Sequence, residues 1–212
     1  MDGAGWDELV ARASALAGEG RRLLGVCGPP GAGKSTLARA LAAALRPRAV
    51  VVPMDGFHLA QSELRRLGRE ERKGAPDTFD AAGYIALLRR LRGTGEPVVY
   101  APEFRRSIEE PVAGAIPVPR AVPLVITEGN YLLLDDGPWA PVRELLDDAW
   151  YLGTDEHARV SALIRRHERF GRSPEEARRF ALGSDQRNAD RVAAARDRAD
   201  LIIPGWAPVP GR

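Results

Sequence analysis

The 212-residue chain is most easily bounded by what it lacks. Cysteine occurs once, as Cys27, so an internal disulfide and any CxxC metal site are excluded. That usage fits a reducing cytoplasm. Charge of one sign is also missing. The 31 basic and 29 acidic residues leave a net +2, which gives no electrostatic footprint for nucleic acid. No apolar stretch approaches the ~20 residues a membrane helix needs, so no membrane partner is expected. The first residues carry three acids before any base and no apolar core of signal length, so no targeting segment is expected. Lysine is scarce as well: Lys34 and Lys73 are the only two among the 31 basic residues.

What is present reads as an ordinary globular chain, with 44% hydrophobic and 28% charged residues. At ~150 residues per domain, the length predicts one domain over 1–212. Short apolar runs at 22–27, 49–54, 97–100, 124–127, 149–153 and 200–203 alternate with helical segments. The helices are expected over 6–18, 34–45, 81–92, 155–170 and from Ser173 to about 182, with a restart near Arg187. A short helix plus loop is expected over 60–79, a proline-rich connection over 111–123 and a loose tail over 205–212. Strands alternating with helices predict an α/β fold, a parallel sheet of about five strands with helices on both faces. Ligand sites in such sheets lie at the carboxyl ends of the strands. Gly28, Asp55 and Glu128 each follow a predicted strand.

Gly28-Pro29-Pro30-Gly31-Ala32-Gly33-Lys34-Ser35 matches G-x-x-x-x-G-K-[ST], with an apolar strand before it and a helix after it. Such a loop wraps its backbone N–H groups around phosphate, so Gly28, Gly31, Ala32, Gly33, Lys34, Ser35 and Thr36 are the expected nucleotide-binding residues. Lys34 is a flexible point cation for the β- and γ-phosphates. The Ser35 hydroxyl is an expected Mg²⁺ ligand. A chain this poor in lysine places one where a planar guanidinium would suit poorly. Asp55, at a strand's carboxyl end, can reach a hydroxyl poised at a γ-phosphate; the alternative is an aspartate capping a turn. Glu128 can order Mg²⁺ waters or the acceptor, or simply cap a turn before Gly129. Arg165, Arg169 and Arg172 fall at i, i+4, i+7 on the 155–170 helix and the turn after it, opposite Val160, Leu163, Ile164 and Phe170. Cys27 reads as a small buried residue.

The stretches GPPGAGKST, VVPMDGFHL, RKGAPDTFD, YAPEFRRSIEEP, VITEGNYLLL and SDQRNADRV, in this order, run from 25 to about 203. With them the chain resembles the P-loop small-molecule kinases grouped with pantothenate kinase, uridine kinase and phosphoribulokinase. It is most like their short bacterial relatives of the fructose-kinase-like or nucleoside/nucleotide kinase type. The resemblance implies a P-loop fold with a small helical lid over about 155–185 and an acceptor-covering insert over about 58–80. It implies ATP- and Mg²⁺-dependent phosphorylation of a hydroxyl on a small metabolite, with Asp55 accepting the proton. His58, Lys73, Arg106 and Glu128 are implied on the acceptor. Arg165 and Arg169 are implied over the nucleotide phosphates, Arg169 counting with Asp55 and Lys34 among the catalytic groups. Asn188 is implied near the adenine.

The pattern also departs from the family. Arg105 stands where relatives carry an acid, and Tyr100-Ala101-Pro102-Glu103-Phe104 replaces the pantothenate kinase tyrosine-serine-histidine stretch. His58 stands where uridine kinases have tyrosine. A sugar, a nucleoside and a pantothenate-like alcohol therefore all stay open as acceptor. The competing reading is a P-loop NTPase switch or assembly factor with no acceptor but water. The absence of an N-K-x-D motif speaks against a GTPase-type switch. A homodimer is compatible with the sequence and not required by it.

Overall fold

The computed structural model describes residues 3–18, 20–93 and 95–206. Five strands form one parallel sheet: β1 (Arg22–Cys27), β2 (Ala49–Pro53), β5 (Leu124–Gly129), β6 (Asp148–Leu152) and β7 (Leu201–Ile203). Their order is β2-β5-β1-β6-β7. Both central strands are fully buried along almost their whole length, as a sheet covered on two faces requires.

Alternation along β1 feeds two cores. Leu23 and Cys27 face one, together with Val125, Tyr84 and Trp139. Leu24 and Val26 face the other, with Leu37, Leu41, Ile126 and Trp150. Helices α1 (Gly3–Leu16) and α2 (Lys34–Ala44) cover the second face; α4 (Ala81–Arg92) covers the first. A buried chain of hydroxyls ties α4 to the sheet. The Thr127 hydroxyl donates to Val52 O at 2.8 Å, so the Tyr84 hydroxyl, 2.6 Å away, donates to Thr127. Among the described residues no helix is long and apolar enough to cross a membrane.

Two expectations need correction. The run at 97–100 does not join the parallel sheet, and 111–123 is not an irregular connection. They are β3 (Val98–Arg105) and β4 (Glu110–Pro119), an antiparallel ribbon separate from the main sheet. Prolines 111, 117 and 119 sit inside β4 opposite Phe104, Tyr100 and Val98. A two-stranded ribbon is all edge, and an edge strand tolerates residues with no N–H to donate. The ribbon packs on the turn after β2, where a Cβ on Gly56 would stand 2.4 Å from Pro102 O. That close approach requires glycine.

Elsewhere the differences are small. The first helix starts at Gly3 and stops at Leu16. Between β2 and α4 lie α3 (Gln61–Arg66) and 3₁₀ turns at Glu70–Arg72 and Pro76–Thr78. The last part of the chain holds α5 (Glu156–Arg169), α6 (Pro174–Leu182) and α7 (Ser184–Ala194). Helix α6 opens on the expected Ser173–Glu176 capping box. Helix α7 begins three residues before the expected Arg187, directly after Gly183. Of the tail over 205–212, Trp206 lies 6.0 Å from Trp6, ring to ring, and residues 207–212 lie outside the described residues.

Candidate active site

The loop between β1 and α2 is shaped by glycine and by α5. Gly31 has φ 85°, and a Cβ there would stand 2.9 Å from Leu163 Cγ and 3.0 Å from Arg159 O. Helix α5 thus lies directly against the loop. Arg159, 1% exposed, fixes that contact. Its Nη1 donates to Pro30 O at 3.3 Å, while the same guanidinium forks onto Glu156 and reaches Gln186.

Lys34 is buried beneath the loop. Its ammonium donates to Pro29 O at 3.0 Å and Asn130 Oδ1 at 2.7 Å. Burial lowers its pKa, and the carboxylates of Glu128 and Asp55 work against that shift. The Ser35 hydroxyl donates to Glu128 Oε1 at 2.8 Å, which sets two hard oxygen ligands side by side. Glu128 is 6% exposed; burial, and then the charge of Asp55, push its pKa up. The Cys27 thiol, pushed up to about 11 by burial, is an unreactive core group whose Sγ lies 3.2 Å from Asn130 O.

Asp55 sits in the 3₁₀ turn Met54–Phe57 that follows β2. Its carboxylate lies 3.4 Å from Arg106 Nη2. Burial tends to raise its pKa. Positive charge facing it, from His58 once acid protonates the ring and from Arg106, Arg166 and Lys34 throughout, outweighs this and holds it below the ordinary value, so Asp55 is ionised at neutral pH. His58 Nδ1 stands 2.7 Å from Asp55 O, and its ring lies between Phe79 at 4.0 Å and Phe104 at 4.6 Å. A carbonyl oxygen only accepts, so Nδ1 carries the hydrogen and Nε2 of the neutral ring is an acceptor. Burial lowers the His58 pKa, which keeps the ring neutral.

Two connected cavities meet at this point. One, of about 280 Å³, is bordered by Lys34, Asp55, His58, Phe104, Arg172 and Asn188. The other, of about 560 Å³, is bordered by Thr36, Arg39, Arg165, Arg166 and Arg169. Lys34, Ser35, Asp55, Arg106, Glu128 and Arg166 border both.

The structure distributes the sequence-predicted residues unevenly. Lys34, Ser35, Asp55, Arg106 and Glu128 converge. His58 and Lys73 border the smaller cavity, but Lys73 is already engaged, donating to Glu109 O at 2.7 Å and Gln61 Oε1 at 3.2 Å. Arg165 and Arg169 border only the larger cavity. Asn188 donates to Gly74 O at 3.3 Å and borders the smaller cavity together with Asp55. The Asp55 carboxylate meets Arg106 at 3.4 Å, and among the described residues no backbone N–H donates to it as it would to a cap.

Sequence reasoning put Leu163 and Phe170 on the inner side of α5 but missed that Arg159 and Arg166 share it. Arg159, Leu163, Arg166 and Phe170 recur at i, i+4, i+7, i+11 and face the loop and cavities. Arg165 and Arg169 lie one residue further round. The signal was available: the apolar face of this helix contains Arg159, and an arginine on an apolar stripe needs a buried partner. Asn130, two residues beyond Glu128 and inside the stretch VITEGNYLLL, was not singled out either.

No family model matches the chain. It is 37% identical over 176 residues to a provisionally named uridine kinase of Schizosaccharomyces pombe, covering 78% of this chain and 75% of that one. It is 32% identical over 161 residues to an ATP-dependent kinase-like protein of Aspergillus versicolor, covering 72% of this chain and 94% of the other. A provisionally named fructose transport system kinase from Silicibacter sp. TM1040, of known crystal structure, matches with TM-score 0.83 and 37% identity over 92% of this chain and 98% of its own. The chain belongs to the P-loop small-molecule kinases of the uridine kinase and pantothenate kinase group.

Proposed function

We propose that this protein transfers the γ-phosphoryl group of ATP to a hydroxyl of a small metabolite. The observation that carries the reading is the position of Asp55. Its ionised carboxylate borders the same space as Lys34 and Ser35, at the junction of a cavity lined by loop and arginines and one lined by His58, Phe79 and Phe104. A water-consuming switch has no need of the second chamber.

In this reading the nucleotide phosphates lie along the loop and the N-terminus of α2, among Lys34, Thr36, Arg165, Arg166 and Arg169. The acceptor lies in the smaller cavity. Asp55 orients the acceptor hydroxyl and takes its proton as the oxygen bonds to the γ-phosphorus and the bond to the β-phosphate breaks. Lys34 and Arg166, both close enough to Asp55 to lower its pKa, stabilise the charge that spreads over the transferring group. Ser35 and Glu128 fit Mg²⁺, which takes few protein ligands and prefers hydroxyl, carboxylate and water oxygens. Bound there, the ion would neutralise phosphate charge; Ser35 would ligate it and Glu128 would hold its waters.

The test is ADP release measured against a panel of sugars, nucleosides and hydroxy acids with Mg²⁺ present. Acceptor-dependent ADP release, lost in Lys34→Ala, is expected. ADP release that no alcohol stimulates would favour the switch reading instead.

A further inference from the structure

The smaller cavity holds more positive charge than its own acids use. Its carboxylates are each engaged: Asp55 with Arg106 at 3.4 Å, Glu109 with Lys73 at 3.9 Å, Glu128 with Ser35 at 2.8 Å, and Asp185 with His167 at 2.7 Å. Two guanidinium groups on its border have no carboxylate partner among the described residues, Arg166 and Arg172. Arg166 borders both cavities and belongs to the transfer centre. Arg172 borders the smaller cavity alone.

Arg172 is also held in an unusual way. Gly171, at φ 92°, turns the chain after α5, and Arg172 N closes the turn on His167 O at 3.2 Å. The guanidinium then lies on the face of Phe180, 3.4 Å from the ring centroid. A stacked guanidinium directs its N–H groups sideways, in its own plane. Nη1 is buried and has no hydrogen-bond partner, alone in this respect among the described side chains. The nearby Glu176 carboxylate does not meet it, being committed to Ser173 N at 3.1 Å and Ser173 Oγ at 3.0 Å. A buried charged donor left without a partner is costly, so such a group marks a missing acceptor.

We infer that Arg172 is an anion seat for the acceptor: the metabolite phosphorylated here is an alcohol that also carries a carboxylate or phosphate, and the Arg172 guanidinium at the cavity border binds that group. The inference rests on the kinase reading for the word acceptor; the anion seat itself does not. Asn188 Nδ2 and neutral His58 Nε2 border the same chamber and complete its polar surface, one donor and one acceptor. A neutral polyol would leave the Arg172 guanidinium without a counter-charge; an anion-bearing one supplies it.

Inorganic phosphate is the first probe, titrated by calorimetry into the whole chain with its loop saturated by Mg²⁺ and a non-hydrolysable ATP analogue. The wild type is expected to bind one phosphate. Arg172→Gln should weaken that binding about tenfold or more at unchanged melting temperature. Arg178→Gln, on the solvent side of α6, should not. If Arg172→Gln fails to fold, Arg172→Lys keeps the charge without the fork and should weaken binding by a smaller factor. Absence of phosphate binding in the wild type, or equal binding in the folded Arg172 variants, would overturn the seat. The second measurement compares ADP release with paired alcohols, each hydroxy acid or sugar phosphate against its uncharged counterpart. The anionic member should be the better acceptor, and Arg172→Gln should raise its KM about tenfold with little change in kcat. Equal use of neutral and anionic members would overturn the inference and leave the kinase reading standing. Phosphate binding at Arg172 without ADP release from any alcohol would fail the kinase reading and keep the seat.

Discussion

At the scale of single residues, Asp55 decides most. Its pKa is held below the ordinary 3.8, so it is a weak base that is always available. Phosphoryl transfer through a loose transition state asks mainly for positioning, which suits such a group. Asp55→Asn should lower the acceptor-dependent rate by about 10²–10⁴ if proton acceptance matters, and less if orientation dominates. Nucleotide affinity and melting temperature should hold, because neither the loop nor a cap is touched. Rate, affinity and melting temperature measured on this one variant separate the outcomes, and a fully retained rate would remove Asp55 from the mechanism. His58 makes a different prediction. Its folded pKa lies below its ordinary 6.5, so between those values the unfolded chain binds more protons. Its contribution to stability is therefore present above about pH 6.5 and is lost as pH falls through the lower folded value. Melting temperature should drop on acidification through this window, and His58→Gln should flatten that part of the curve. An unchanged slope would mean other groups carry it. The residues of the phosphate loop were legible because their spacing is dictated by phosphate geometry. Arg172 was legible only as the last arginine of a helical stripe and Asn130 only as part of VITEGNYLLL, since what gives each its place is a stacking ring and a neighbouring ammonium, which only the fold brings near.

At the scale of elements, α5 is the part most closely fitted to the loop. The contact runs through Gly31, where any side chain meets both backbone strain and solid neighbours. Gly31→Ala should combine the roughly 1–2 kcal/mol cost of a left-handed non-glycine residue with displacement of Leu163 and Arg159. Gly68, at φ 64° with open space around it, is the control: Gly68→Ala carries the strain without the collision. Thermal denaturation and nucleotide binding on the pair should show the larger loss, and the only loss of nucleotide affinity, at Gly31. Equal behaviour would mean that the helix yields and that the loop does not depend on it. Element identity was mostly legible in the sequence. Leu-rich α4 and the capping box of α6 announce themselves through local chemistry. The start of β3 was legible as the run at 97–100, but β4 was not, because prolines 111, 117 and 119 argue against a strand unless its edge position is known, and edge position is a property of the whole sheet. The place of Arg159 on the inner face of α5 was not legible for a related reason. A guanidinium can be buried there only once Pro30 O, Glu156 and Gln186 supply its partners.

At the scale of the whole molecule, alternation of strand and helix was enough to read a parallel sheet with two covered faces, while the strand order could not be read from periodicity. That order has a temporal side. The two strands that carry the phosphate loop and Asp55 are complete by residue 53, yet neither pairs with the other: β2 pairs only with β5, and β1 only with β5 and β6. On a chain emerging from the ribosome, the sole strand pairing available before residue 124 is the β3–β4 ribbon. Sheet, loop and the Ser35–Glu128 bond must then form together and late, against the loop-closure entropy of nearly 100 intervening residues. A fragment of residues 1–123 keeps every residue of the nucleotide loop and should bind no ATP, and amide exchange on it should show no protection in β1. Nucleotide binding by that fragment would mean the loop can be held without its sheet. If it fails as expected, ribosome-bound chains of this protein remain unable to use ATP until β5, the third strand of the sheet in chain order, is out, and a nascent kinase spends most of its synthesis inert.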